Sequence, residues 1–445
     1  MKKTVLFNMI LFGVFVVGTP TAEASSATNR LVVTPEILGR LAEEMRAAHP
    51  ALQAARARTN AAAAGVSAVR TWEDPTIRFG GVAAREEFRA SDGDVIYGAE
   101  QKLPLFGKPR AARNVALAEL GVEVANEDSQ FQILRRELAK AAFRAALADQ
   151  TVAIGEQDLA WLDVTAKSVE NKYASGSGRL IDVLQLQNEH AKRTEQLQTD
   201  RQSRTHEQLA LNRFLNRDLH ASWPVLELPP VADGVVYNQA LVNFALRYEP
   251  KLKALRAQIK QAQAGVELTR RRRLPDLSAG LESRNYSGNG NWRQAEFVLS
   301  LNLPWFNAGK YRSDIRRDEA KLKATEFDAA DYEQSVREEV HMLALKIDAA
   351  RREALLYRDQ IIPRSEQALA SAHGLLESSG GLMRDLLDAR RMLLDARLMY
   401  ARAVAEQYQM LSELVLCCGL GDLEALQMLA TLPDKNSTEN PHHEK

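Results

Sequence analysis

The sequence predicts a mainly α-helical chain with a small β part, built from duplicated long antiparallel helical hairpins joined to four β-strands. Three observations carry this prediction. One long stretch is written twice at a constant offset, the mark of an internal structural repeat. Apolar residues recur at alternating spacings of three and four along runs far longer than an ordinary helix. Four short segments instead alternate apolar and polar residues with period two, as half-buried strands do.

The first element, 1–24, pairs Lys2 and Lys3 with an apolar run over 5–18 and a small-residue site ending Ala22-Glu23-Ala24. That is the pattern of a secretory signal peptide cut after Ala24. The apolar run is short for a membrane-spanning anchor. No cysteine follows the cut, so no N-terminal lipid anchor is expected. Beyond this leader no stretch reaches the ~18 consecutive apolar residues that a transmembrane helix requires.

The first repeat occupies 25–229 and the second 230–431. HPALQAARARTNAAAAGVSAVRTWEDP, ending at Pro75, aligns without gaps to EPKLKALRAQIKQAQAGVELTRRRRLP, ending at Pro275. Pro50/Pro250, Leu52/Leu252, Arg56/Arg256, Gly65/Gly265 and Arg70/Arg270 all keep one register. After each copy comes a predicted pair of strands, about 76–85 and 95–103 in the first repeat and about 277–284 and 292–303 in the second. Val95, Tyr97, Ala99, Gln101 and Leu103 alternate with Ile96, Gly98, Glu100 and Lys102, and Phe297, Leu299, Leu301 and Leu303 with Glu296, Val298, Ser300 and Asn302. Odd positions therefore meet an apolar medium and even positions a mostly polar one. The intervening SDGD at Ser91 and NYSGNGN at Asn285 are turn-formers.

This alternation suits two settings equally, a soluble sandwich or a sheet in lipid. Four strands cannot close a barrel alone, and an open sheet in lipid leaves backbone groups unpaired, so a membrane sheet must be shared by several chains. Each strand pair runs into a helix through a similar join, LPLFGK with Pro104, Phe106 and Gly107, and LPWFNAGK with Pro304, Phe306 and Gly309. Pro104 removes a ladder donor and Gly107 permits a turn.

No proline interrupts 110–223, and a continuous helix is predicted over about 110–174, on the order of 100 Å long at ~1.5 Å per residue. Its seam runs Phe131, Leu134, Leu138, Ala141, Ala145, Ala148, Val152, Gly155, Leu159, Leu162, Ala166, Val169, Tyr173. Val336, Val340, Leu343, Ile347, Ala350, Ala354, Tyr357 and Ile361 repeat it in the helices predicted over about 310–377. A period near 3.5 implies supercoiled helices. An ordinary soluble hairpin bundle would show the same stripe. Turns at 175–180 and 378–382 lead to return helices over about 181–215 and 383–418, where YASGSGRLIDVLQLQ pairs with LESSGGLMRDLLDAR and sets Gly178 against Gly381 and Asp182 against Asp385. A polar tail, 432–445, is predicted to be disordered.

Composition limits the function. Of 445 residues 45% are hydrophobic, and Lys+Arg and Asp+Glu are equal at 58 each, so no net field draws in nucleic acid. No GxSxG, HExxH or phosphate-loop motif occurs, so no catalytic residue, cofactor or metal site is expected, and the chain does not read as an enzyme. His442 and His443 lie in the tail, and the adjacent Cys417 and Cys418 read as helix-end residues.

Taken together, the duplication, the LPLFGK and LPWFNAGK joins and the motifs YASGSGRLIDVLQLQ and SSGGLMRDLLDARRMLLDA resemble the TolC family of outer-membrane efflux proteins over essentially the whole mature chain. The LPLFGK form looks closest to outer-membrane components of metal-exporting resistance-nodulation-division pumps. The resemblance implies a homotrimer in outer-membrane lipid, with a 12-stranded transmembrane β-barrel continued into the periplasm by an α-barrel. Partners implied are a periplasmic adaptor and an inner-membrane resistance-nodulation-division pump. The function implied is passive conduction, here of heavy-metal cations.

By the same resemblance Asp385, Asp388 and Asp182 line a channel-tip constriction, where one carboxylate per subunit becomes a ring of three. Tyr173, Gly176, Gly178, Arg179, Gly380, Gly381 and Arg384 fall in the turns where an adaptor docks. Gly381 stands where some relatives carry a tip arginine. Conduits for type I protein secretion share this build, and a soluble periplasmic coiled-coil adaptor is the reading outside it.

Overall fold

A computed structural model of the chain describes residues 30–82, 94–286, 290–378 and 381–420. The predicted leader, the turn at Ser91, Gly380 and the polar tail lie outside the described residues, as do 83–85 of the first predicted strand.

The first repeat begins with a short strand β1 (Arg30–Val32) and two helices, α1 (Pro35–Ala48) and α2 (Pro50–Ala68). They break at His49 because a residue before proline is pushed out of the helical region. His49 Nδ1 then caps α2 by accepting from Ala51 N at 3.2 Å. Strands β2 (Thr76–Val82) and β3 (Asp94–Lys102) follow, then α3 (Lys108–Ala174) and α4 (Leu180–Leu215). A 67-residue α3 needs no special cause beyond its composition, since alanine, leucine, arginine and glutamate dominate and its only proline sits in the first turn.

A second short strand, β4 (Val225–Glu227), ends the first repeat, and α5 (Gln239–Tyr248) and α6 (Pro250–Arg272) open the second. The break at Glu249-Pro250 copies the one at His49-Pro50, with Glu249 Oε2 accepting from Leu252 N at 2.5 Å. Then come β5 (Leu277–Tyr286), β6 (Trp292–Leu301), a 3-10 turn at Pro304–Asn307 and α7 (Ala308–Leu356). The stripe through Tyr357 and Ile361 does not continue as α-helix. A π turn spans Tyr357–Ile361 ahead of α8 (Ile362–Glu377), because Pro363 has no N–H to give the preceding turn. The last helix is α9 (Met383–Cys417).

β1 and β4 pair in parallel and tie the start of the chain to the linker between repeats. This small sheet is fixed to α3 where Leu226 N donates to the buried Asp149 Oδ2 at 2.8 Å. Burial pushes the Asp149 carboxyl up, while that bond and the more distant Arg204 work in the opposite direction. Further along the linker Gln407 of α9 accepts from Ala232 N at 3.1 Å and donates to Ala232 O at 2.8 Å. The helices bundle around two main cores, one holding Leu138, Phe143 and Leu211, the other Leu241, Val340, Leu343 and Leu414.

The four longer strands form one antiparallel sheet in the order β2-β3-β5-β6, so the central β3–β5 pairing joins the repeats. β2 and β6 are its two edges.

Candidate functional site

Two places in the fold gather features that bulk packing does not require: the turns where the long helices reverse, and the sheet with its joins to the helices.

At the turns the two repeats share one core. Leu162 and Val169 of α3, Val183 and Leu186 of α4, and Met383, Leu386 and Leu387 of α9 are buried together. Each turn closes on its own helix, with Gly178 N donating to Lys172 O at 2.9 Å and Gly381 N to Leu375 O at 3.0 Å. A Cβ at Gly178 would lie 2.7 Å from Tyr173 N, and one at Gly381 2.8 Å from Leu376 N. These two glycines are thus needed for close backbone approach, whereas Gly176 supplies the left-handed residue with φ +79. Tyr173 is 46% exposed beside them.

Arg179 and Leu382 occupy equivalent N-cap positions, φ −103 ψ 140 and φ −102 ψ 141. Their different side chains decide the state of the paired acids. Arg179 grips Asp182 with two hydrogen bonds of 2.9 and 2.8 Å. Leucine cannot do the same for Asp385, which is exposed and meets no cation among the described residues. Asp388 lies one turn on, 3.7 Å from Arg384 and 3.1 Å from Arg391. The three acids are therefore not equivalent: Asp385 is free, Asp388 is shared by two arginines and Asp182 is clamped.

Sequence patterning missed the ion pairs that join the hairpins just behind the turns. Asp158, only 2% exposed, lies between Arg390 of α9 at 2.7 Å and Arg193 of α4 at 3.0 Å. The Arg390 guanidinium also covers the Trp161 ring, 4.8 Å from its centroid. Arg391 bonds Glu189 at 2.5 and 3.2 Å, and this bond, opposed by burial, holds the Glu189 carboxyl below its ordinary range. One signal was legible: Asp158 falls three residues after Gly155 and four before Leu162, inside the buried seam.

In the sheet odd-numbered side chains stand out, with Phe79 81% and Phe297 73% exposed; in β3 and β6 the even positions are more covered, whereas every position of β2 is exposed. On the even face Arg78 pairs with Glu100, which also accepts from Ser278 Oγ, and Arg284 lies 3.5 Å from Glu282 and 3.7 Å from Glu296. One face is thus apolar and bare, the other polar and cross-linked. The 10-residue β5 and β6 match the ~9–11 residues of a transmembrane strand.

The joins are less alike than their sequences. Phe106 and Gly107 take left-handed φ of 58 and 69 to turn into α3, so Gly107 is the turn residue there. Gly309 is not its counterpart, because the second join uses the 3-10 turn and Gly309 lies inside α7. Pro104 is partly covered and Pro304 buried, while Phe106 and Phe306 are exposed. Lys108 crosses between repeats, donating to Leu274 O at 2.5 Å and Asp276 Oδ1 at 2.8 Å. Among the described residues no group of three or more His, Cys, Asp or Glu side chains is placed to hold a metal ion.

The model of the outer membrane efflux protein family matches residues 41–217 and 241–420, which follow the two repeats. Among curated proteins none matches the sequence. Among solved structures the fold is similar to the outer-membrane channel OprN, with a TM-score of 0.75 and 17% identity over 86% of this chain and 90% of that one. It is similar to the outer membrane protein VceC of Vibrio cholerae, with a TM-score of 0.72 and 18% identity over 86% of this chain and 96% of that one. It is also similar to CusC, described for transmembrane channel formation, with a TM-score of 0.75 and 16% identity over 86% and 92%.

Proposed function

The chain belongs to the outer membrane efflux protein family, and from that premise we propose that it is a passive, cation-tolerant conduit for heavy-metal efflux, narrowed at the helical turns by a ring of Asp385 carboxylates. Members of this family are channels rather than enzymes, and they act in the outer membrane as homotrimers with an adaptor and an inner-membrane pump. The soluble-scaffold reading is overturned by the family match. A pump of the resistance-nodulation-division class and its periplasmic adaptor are the proposed partners.

One observation carries the reading: Asp385 alone of the three turn acids has no cationic partner among the described residues. Three unpaired carboxylates around one axis repel each other and attract cations, most strongly divalent ones. Asp388 lies one turn on and adds a weaker field, since Arg391 and Arg384 already draw on its charge. Asp182 acts differently, fixing Arg179 in the first turn. The adaptor meets the exposed Tyr173, Gly176, Arg179 and Arg384, on turns whose shape Gly178 and Gly381 set. Export then follows the pump's energy, and the channel itself does no chemistry.

The test is conductance of the purified trimer in planar bilayers with and without a divalent cation. Asp385→Ala should relieve divalent block by about tenfold, on the order of 1.4 kcal/mol per bound ion, and Asp182→Ala should not. Equal block in the wild type and Asp385→Ala would reject the ring. Metal sensitivity of a deletion strain, compared with its sensitivity to organic solutes, tests the cargo.

A further inference from the structure

The strand-to-helix joins carry a surplus of positive charge that conduction does not use. Arg70 follows α2, Arg110 and Arg113 open α3, and Arg272 closes α6. All four are exposed and meet no carboxylate among the described residues. Three nearby acids are already engaged, Glu73 with Lys102 at 2.8 Å, Asp276 with Lys108 at 2.8 Å and Glu267 with Arg271 at 2.8 Å, which leaves Asp74 as the acid of this loop without an ion pair among the described residues. Four arginines from three elements thus gather without an ion pair in one band.

The same band contains a cleft of about 480 Å³ lined by Arg70 and Arg272, by the ion pairs Glu73–Lys102 and Asp276–Lys108, and by apolar walls that include Val69, Leu103, Pro104 and Leu105. A second cleft of about 260 Å³ shares Val69 and Pro104 with it and is lined by Arg110 and Arg113. Apolar walls with an arginine rim suit an amphiphile that has an anionic head. Guanidinium forks match phosphate oxygens two at a time.

We propose that these joined clefts bind an anionic phospholipid of the leaflet at the helical end of the sheet. The phosphate would sit among Arg70, Arg272, Arg110 and Arg113, and an acyl chain against Leu103 and Leu105. The inference rests on the membrane placement of the sheet. Its height is right: the exposed apolar face ends in the aromatic rings of Phe106, Trp305 and Phe306, the usual marker of a membrane interface. Arg110 lies four residues past Phe106, on the order of 6 Å along a helix, within a headgroup layer of about 5–8 Å. A soluble phosphate would satisfy the arginines but leave the apolar wall bare, which favours the lipid.

The experiment is native mass spectrometry of the full-length trimer in detergent, titrated with dioleoylphosphatidylglycerol, with dioleoylphosphatidylcholine, and with inorganic phosphate as competitor. Phosphatidylglycerol should be retained at about one per subunit and about tenfold more tightly than phosphatidylcholine, which carries the same phosphate but a choline cation that the arginines repel. Arg70→Gln/Arg272→Gln should lose that preference while the trimer survives. If the double variant does not assemble, Arg113→Gln alone should weaken retention about threefold. Equal retention of the two lipids, unchanged retention in the variants, or displacement by millimolar inorganic phosphate would overturn the lipid site. Recovery of the unaltered chain as a soluble monomer would instead overturn the membrane placement beneath it.

Discussion

Gly178 and Gly381 face backbone atoms that cannot rotate aside, at 2.7 Å from Tyr173 N and 2.8 Å from Leu376 N. Alanine at either position must therefore open the turn, at a cost of about 1–3 kcal/mol. Gly374, inside α8, has nothing within 4 Å of the place an alanine methyl would take, so alanine there should add up to about 1 kcal/mol of helix stability. Hydrogen exchange at the turns should quicken in Gly178→Ala and Gly381→Ala and slow in Gly374→Ala. Equal exchange in all three would mean that the turns are not held by close approach.

Two buried glutamates respond to pH with opposite sign. Burial raises the Glu249 carboxyl, with Glu339 adding repulsion, against bonds from Leu252 N, Lys251 N and the Tyr332 hydroxyl. Its contribution to stability is full below the ordinary glutamate range and declines as pH rises through the raised folded-state pKa. Glu189 is depressed by Arg391, so its contribution is present above the ordinary range and is lost as pH falls through the lowered value. Thermal melts of the trimer should show Glu249→Gln flattening the decline as pH rises above the ordinary glutamate range, while Glu189→Gln removes part of the loss in acid. A Glu249→Gln melt that parallels the wild type from acid to neutral pH would sink the first assignment.

Among the elements, α9 is the one that binds the repeats together near the turns, through Arg390 to Asp158 and Arg391 to Glu189. Removing one partner of a buried pair is costlier than the pair is favourable, because the remaining charges stay dry. Asp158→Ala should therefore cost about 3–5 kcal/mol and let the hairpins part, raising basal conductance and exposing the turns to protease. Restored closure in Asp158→Ala/Arg390→Met/Arg193→Met would confirm that the stranded arginines, rather than lost packing, caused the opening. A tight, protease-resistant Asp158→Ala channel would refute it.

This pair also shows what the sequence hides. The seam of α3 was legible because a 3.5-residue period repeats over many turns, and the sheet faces were legible because alternation persists through ten residues. Strands of three residues such as β1 and β4 carry no period to detect. Asp149 looks like a surface residue until its partner, distant in the chain, is known, and Asp158 shows its place beside the seam but not its two arginines. The π turn was signalled only by Pro363, and the stripe through Tyr357 concealed it. In the turns, the glycines were visible but the reason for two of them was not, since close approach depends on a helix the chain has already built.

At the scale of the whole molecule, a single chain is unfinished in two ways at once. Its sheet ends in open edges at β2 and β6, and its odd face shows Phe79, Leu281, Phe297 and Leu299 to the surroundings. Open edges cannot stay in hydrocarbon, so the strands must close through neighbouring copies before the bare face is satisfied by lipid. Charge tests which face is which. An arginine replacing Phe297, mid-strand on the odd face, should cost about 2–4 kcal/mol in lipid, enough to deplete heat-modifiable trimers from the outer membrane. An arginine replacing Ser300, on the even face that already bears Glu100, Glu282 and Arg284, should leave assembly intact and shift ion selectivity toward anions. If Ser300→Arg blocks assembly while Phe297→Arg inserts normally, the sheet faces are reversed and the polar ladder looks outward.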